Sequence, residues 1–381
     1  MLLLVGAYTA EMDGRATGVG VLRAERALAF EGDAAAVQGS PSWLAHHPGG
    51  GVVYAALEGA GTVQAFRRSG ETAYAAIGMP AEAGELVCHV AVAPDGGSLV
   101  ASCWGDGRVV RMTLDAAGIP TDPVIAAAAT DPYPLPGPAA LPERTPLAGR
   151  TALPERTALP ERTPLPERTP LPERTPLPEL VEGRTSRAHA AAFLPEGRVA
   201  TTDAGFDLVR IWRPAPDGLR PDHDVVLPRG CGPRHLLVHP SGHLCVITEH
   251  SGEVFVLARA ASGRWGVVSG TPVSSAALPG DAAAELAASR DGVFLYAGLR
   301  GSDTIATLRV RGAGERVEPV ALVESGVHWP RHHLVADDTL LVAGERSDAV
   351  AALTLDQRTG VPGRVRQRAQ APSPACLLPI G

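Results

Sequence analysis

Short runs of alternating apolar and polar residues, broken by tight turns, return along this chain at a nearly constant spacing. The clearest are CHVAVAPDGGSLVASC from Cys88, AHAAAFLPEGRVATTD from Ala188 and PRHLLVHPSGHLCVIT from Pro233. AELAASRDGVFLYAGL from Ala284 and PRHHLVADDTLLVAGE from Pro330 continue the series. Each copy reads as a strand, a turn rich in Pro, Asp or Gly, and a second strand. The residues opening the first strands are Ser42, His89, His189, Arg234, Glu285, Arg331 and Pro374. Successive anchors lie 43 to 51 residues apart, except for one interval of 100.

A period of this size, made of strands and turns alone, predicts an all-β fold: a seven-bladed β-propeller of four-stranded antiparallel blades. The last copy, SPACLLPIG, stops after one strand. The N-terminal LLLVGAYTAEMDGRATGVGVLRAE can supply the rest, so the last blade is expected to be shared by the two termini. Such sharing removes the open edges that a strand array otherwise leaves. An open solenoid or two β-sandwiches would leave the two partial units unmatched. In blade 4 the pattern places strands at 234–238, 244–248, 253–258 and about 266–270. The first strand of each blade should line the channel, so that strand-A openings and strand-B ends meet at one channel mouth.

The long interval holds an insertion, at about 131–184, in an otherwise single domain spanning 1–381. From Leu141 its text repeats every six residues as LPERTP and close variants. Proline at that density fixes φ and removes amide donors, which predicts a disordered or polyproline-II loop on the mouth face. A tolerated surface loop is favoured there over a lid.

Net charge is −7, which argues against nucleic acid or a membrane surface as the main partner. All 34 basic residues are arginine, so Schiff-base and lysine-nucleophile chemistry is excluded. MLLLVGAYT is short for a signal peptide, lacks a basic start and reads better as a strand. The five cysteines lack metal-type spacing, so buried free thiols in a cytoplasmic protein are expected. A monomer is the expected state.

The expected mouth gathers Ser42, His89, His189, Arg234 with His235, Glu285, and Arg331 with His332 from the strand openings. From the strand-B ends come Glu58, Trp104, Asp203, Glu249, Arg300 and Glu345. A purely structural ring would need only small or apolar residues there, although some of these charges could serve to pair one another. His235 and His239 are spaced as metal ligands on a helix would be, but on a strand they stand roughly 12 Å apart. Neither a nucleophile elbow nor a phosphate loop is present. What remains is acid–base and electrostatic chemistry on an anionic substrate, without metal or cofactor: histidine to activate water, arginine to hold a carboxylate or oxyanion.

Four segments carry a family resemblance: GSPSWLAHHPGG, VCHVAVAPDGGSLVAS, GCGPRHLLVHPSG and AAELAASRDGVFLYAGLRGSDTIATL. Most specific is Gly-Pro-Arg-His with Glu249 fifteen residues after Arg234, followed by Arg-Gly-Ser-Asp from Arg300. In these the chain resembles the seven-bladed lactonase family, which includes propeller-type 6-phosphogluconolactonases and fungal carboxy-muconate lactonising enzymes. The resemblance implies catalytic roles for His189, Arg234 and Glu249, with Arg300 at the anionic end of the substrate. Arg331, His235, Glu285 and His89 are the further candidates for binding it. The chain departs from the family pattern at Cys103-Trp104, Ala204 and Leu299. The expected substrate is a small anionic sugar lactone such as 6-phosphogluconolactone. A muconate-type cycloisomerase and a non-catalytic ligand- or protein-binding propeller are the alternatives.

Because the hexapeptide repeat implies no packed core, deleting 136–184 and joining the ends should leave Tm within a few degrees. Surface changes away from packing cost on the order of 0.5 kcal/mol. Thermal melts of the shortened protein check this, and loss of soluble protein would make the segment structural.

Overall fold

Seven four-stranded antiparallel sheets form among the described residues of the computed structural model, which are 1–133, 183–278 and 280–380. Met1–Pro132 and Thr185–Gly381 together form one compact unit, the propeller. The insertion expected at 131–184, with its polyproline reading, lies almost wholly outside the described residues.

Blade 4 consists of Pro233–Val238, Leu244–Thr248, Glu253–Arg259 and Trp265–Pro272, one or two residues longer at some ends than the pattern indicates. The seventh blade is shared: Pro374–Pro379 pairs with Leu2–Ala7, followed by Gly18–Ala24 and Leu28–Ala36. Leu4 stands opposite Leu378 and Val5 opposite Leu377, which closes the ring.

Second strands such as Val52–Leu57 and Phe294–Leu299 are buried on both faces. Their continuous apolar text follows from a neighbouring blade on each side. Hydrophobic clusters accordingly lie between blades. Tyr54 and Val63 of blade 1 pack with Leu99 and Met112 of blade 2. Leu3 and Leu377 of the shared blade pack with Leu341 and Val350 of blade 6.

Every innermost strand carries a register shift next to its opening pair. In blade 4, Pro233 faces Thr248 and His235 faces Ile247, so Arg234 is an extra residue. A bulge of this kind re-aims side chains and puts two consecutive residues toward the same side. The seven sequence anchors therefore fall on different levels. Ser42, His189, Arg234 and Arg331 occupy the second position of their strands, together with Cys88. His89, His235 and Glu285 occupy the third, one layer deeper, with Trp43 and His332.

The deeper layer holds blades together. The His89 Nδ1 accepts the Ala191 amide at 3.4 Å, that of His235 accepts the Leu286 amide at 3.4 Å, and that of His332 accepts the Leu377 amide at 3.3 Å. Each bond joins one blade to the next and requires a neutral imidazole with its proton on Nε2. The Trp43 ring sits among these imidazoles, with centroids 4.4, 5.5 and 5.4 Å from His89, His235 and His332. Burial, reinforced by nearby Arg234, pushes His89 down to about 3 and, with His333 also contributing, His332 down to about 3. The same causes put His235 well below its ordinary range. Burial pushes Glu285 up to about 8 against the pull of Arg234. The 3.5 Å contact between His235 Nδ1 and Glu285 Oε1 is thus between two neutral groups and is no salt bridge.

These rings and this acid set opposite pH limbs. A histidine kept neutral in the fold is protonated on unfolding below about 6.5, so its contribution is full above that value and lost as pH falls, by about 1.4 kcal/mol per pH unit at most. Glu285 holds its proton in the fold, so its contribution is full below about 4.3 and is lost as pH rises toward about 8. Below 6.5 the histidines outnumber the acid, and above it the acid acts alone. The expected result is a Tm maximum near pH 6.5, with Glu285→Gln flattening the decline between 6.5 and 8. Melting curves across pH check both, and a parent Tm rising steadily to pH 8 would contradict the assignment.

Candidate active site at the channel mouth

Above the Trp43 layer lies a cavity of about 340 Å³, a volume suited to a small molecule. Its walls come from two rows that the fold sets side by side. The second positions of the innermost strands give Cys88, His189, Arg234 and Arg331. The residues that follow the second strands give Tyr8, Glu58, Trp104, Glu249, Arg300 and Glu345. Met12 and Leu86 add apolar surface.

Of the residues expected to form the site, the fold brings His189, Arg234, Glu249, Arg300 and Arg331 to this cavity. It does not bring His89, His235 or Glu285, which stand in the blade-joining layer. Between the layers is a space of about 20 Å³, enough for one water molecule. Asp203 does not line the cavity either. It is the last residue of its strand, and its carboxylate holds the adjoining loop through the amides of Arg187, Gly205 and Phe206 and the Ser186 hydroxyl.

Tyr8 was missed from sequence, although it ends the second strand of the shared blade just as Glu58 and Glu249 end theirs. Its hydroxyl donates to Glu58 Oε2 at 2.9 Å. Burial keeps that hydroxyl protonated well above the usual tyrosine range.

On one side of the cavity, two guanidiniums share one carboxylate. Arg300 Nη2 lies 2.5 Å from Glu249 Oε1, and Arg234 Nε lies 3.3 Å from Glu249 Oε2. Arg300 is fixed further by the Ala282 and Ala283 carbonyls. The Arg234 Nε is close to Glu249 but misaligned, and it has no hydrogen-bond partner among the described residues. Burial alone would raise Glu249, yet Arg300 and Arg234 hold it below its ordinary value. Burial and Arg234 bring Arg300 down to about 10, with Glu249 opposing them.

On the other side, Arg331 Nη1 lies 3.3 Å from Glu345 Oε2, and its guanidinium lies 4.8 Å from the Tyr8 ring centre. His189 is buried beside both groups. Burial, then Arg234 and Arg331, hold it well below the usual histidine range, and its Nδ1 has no hydrogen-bond partner among the described residues. The Cys88 thiol is pushed well up by burial and donates to the His189 carbonyl at 3.4 Å, so it is an inert part of the floor. The arrangement can therefore offer a neutral imidazole for a proton and fixed positive groups for a developing oxyanion.

Relatives agree with this architecture. A Lactococcus lactis protein, the uncharacterized YwcC, is 28% identical over 207 residues, which is 52% of this chain and 60% of that protein. The match thus spans less than two thirds of that relative. Among solved structures, the Pseudomonas aeruginosa periplasmic gluconolactonase PpgL superposes with a TM-score of 0.80 at 21% identity, covering 100% of both chains. A putative 6-phosphogluconolactonase from Bacteroides fragilis gives 0.76 at 19% identity, over 99% of this chain and 96% of that one. At such identities the likeness speaks for the fold. The model of the seven-bladed β-propeller lactonases matches residues 2–379, and the chain belongs to that family.

Proposed function

We propose that this protein hydrolyses a sugar lactone at the channel mouth. The observation that carries the reading is the placement of a buried, neutral His189 beside the Arg234 and Arg331 guanidiniums, in a cavity of about 340 Å³ that Glu249 and Arg300 also line. Family membership makes lactone opening the first chemistry to test there.

A water molecule adds through its oxygen to the lactone carbonyl carbon, and His189 accepts its proton. Negative charge develops on the carbonyl oxygen, where Arg234 can stabilise it. A planar fork of donors that is not already hydrogen-bonded suits that task. Glu249 holds Arg234 and Arg300 in register, and Arg300, tied to two backbone carbonyls, provides a fixed positive wall. As the tetrahedral centre collapses, the ring C–O bond breaks and the leaving oxygen takes the proton back from imidazolium. The product is an open hydroxy acid, and His189 is neutral again. A base with so low an affinity for protons is always available at neutral pH but weak. The oxyanion and the product carboxylate offset part of the repulsion from the two arginines.

The five cysteines are all buried and unpaired, and we assign the chain to the reducing cytoplasm on that ground. Among the described residues no helix is long and apolar enough to cross a membrane.

His189→Ala should lower kcat by roughly 10²–10⁴, the usual share of a positioned general base. Arg234→Lys should also be severe, since an ammonium cannot reproduce the fork. His239 is the control: its ring bridges Ser241 and the Gly292 carbonyl in turns away from the mouth, so His239→Ala should lower Tm and leave kcat of the folded protein unchanged. Because His189 stays neutral, the acid limb of kcat/KM should fall well below pH 6.5. These are measured by pH-stat on freshly made δ-lactones with spontaneous opening subtracted. Folded His189→Ala and Arg234→Ala variants that both worked at the parent rate would place catalysis elsewhere.

A further inference from the structure

The charges around the cavity cancel. Three arginines line it, and three glutamates stand against them: Glu249 between Arg234 and Arg300, Glu345 on Arg331, and Glu58 under the Tyr8 hydroxyl. His189 adds no charge. Two further arginines lie near lining or neighbouring aromatics but do not line the cavity. The Arg187 guanidinium rests 4.3 Å from the Trp104 ring centre and donates to the Trp104 and Gly105 carbonyls. Arg346 rests 3.4 Å from the Trp329 ring centre.

Among the described residues Arg234 is the lining arginine whose Nε lacks a hydrogen bond, and the lactone carbonyl takes it. A phosphate dianion elsewhere on the same substrate would find Arg300 bonded to Glu249 and Arg331 paired with Glu345. It would have to draw Arg331 from Glu345, or lie beside Glu58 and Glu345, and like charges so placed suppress a wrong partner. A neutral polyol has the opposite fit. Carboxylates accept hydrogen bonds from hydroxyls, Tyr8 offers a hydroxyl of its own, and Trp104, 39% exposed, presents a flat apolar surface to a sugar ring.

We infer that the mouth selects an unphosphorylated, polyhydroxylated lactone, with Glu58 and Glu345 as the residues that exclude its phosphate ester. The inference rests on the lactone-hydrolase reading for its chemistry, but its selectivity can be tested separately. It also replaces the phosphorylated substrate that the sequence resemblance puts first.

The experiment compares kcat/KM of the full chain on glucono-δ-lactone and on 6-phosphoglucono-δ-lactone. In parallel, calorimetry measures binding of the corresponding lactams, which are not opened. The parent should prefer the neutral lactone and the neutral lactam by about tenfold or more. Glu345→Gln and Glu58→Gln should each lose activity on the neutral lactone and gain on the phosphorylated one, narrowing the ratio about tenfold. Glu345→Asp, which keeps the charge, should keep the preference. If one Gln variant fails to fold, the other still reads the ratio.

Preference for the phosphorylated compounds, or an unchanged ratio in a folded Gln variant, would overturn the inference. Should neither lactone be opened while the neutral lactam binds more tightly, the selectivity stands and the hydrolase reading falls. Should neither lactam bind, the selectivity falls as well.

Discussion

No blade of this molecule can bury its own faces. A four-stranded sheet presents apolar side chains on both sides, and here each side is covered by a neighbouring sheet. The clusters of buried residues all straddle two blades, as Tyr54 does with Met112 and Leu3 with Leu341. Stability therefore comes from blade-to-blade burial, and a ring is the arrangement in which every face is covered. The functional cavity follows from that constraint. Seven innermost strands must converge on one axis, and whatever side chains stand at their starts are forced together.

The bulge at the start of each innermost strand decides what that convergence yields. Without it, successive side chains would alternate between the two faces of a blade. With it, two successive positions turn to the axis and give two layers with different chemistry. The lower one is neutral, with three imidazoles accepting backbone amides around Trp43. The upper one is charged and open. Low polarity below and paired ions above belong together: the desolvation that keeps His89 and Glu285 neutral also keeps His189 unprotonated.

Much of this can be read from the sequence. Blade number, the shared blade and the strands of blade 4 follow from turn residues and alternation, because those are local signals. The line of anchors does not resolve into two layers, since a bulge changes which way a side chain points without changing residue types. His89 and His189 look equivalent in the text, yet one is a third-position residue bonded to Ala191 and the other a second-position residue at the cavity. Asp203 illustrates the same one-residue sensitivity, for it is the last residue of its strand and its carboxylate turns into a loop, whereas Glu58 and Glu249 come one residue after theirs. Tyr8 could have been found by completing the row of strand-B ends through the N-terminal blade. The pairing of Arg300 with Glu249 could not, because it depends on how one blade sits against the next.

The shared blade has a consequence for how the molecule comes into being. Leu4 must find Leu378, far away in sequence, before the last blade exists. The other blades are each built from strands close in sequence and can form from local hairpins, whereas Leu2–Ala7 must wait for Pro374–Pro379. Pairing across so long a span is slow, and until it occurs both Pro374–Pro379 and Leu2–Ala7 expose unpaired edges. Closure is therefore the last and most vulnerable event in assembly, the moment at which the edge of one molecule could instead capture that of another.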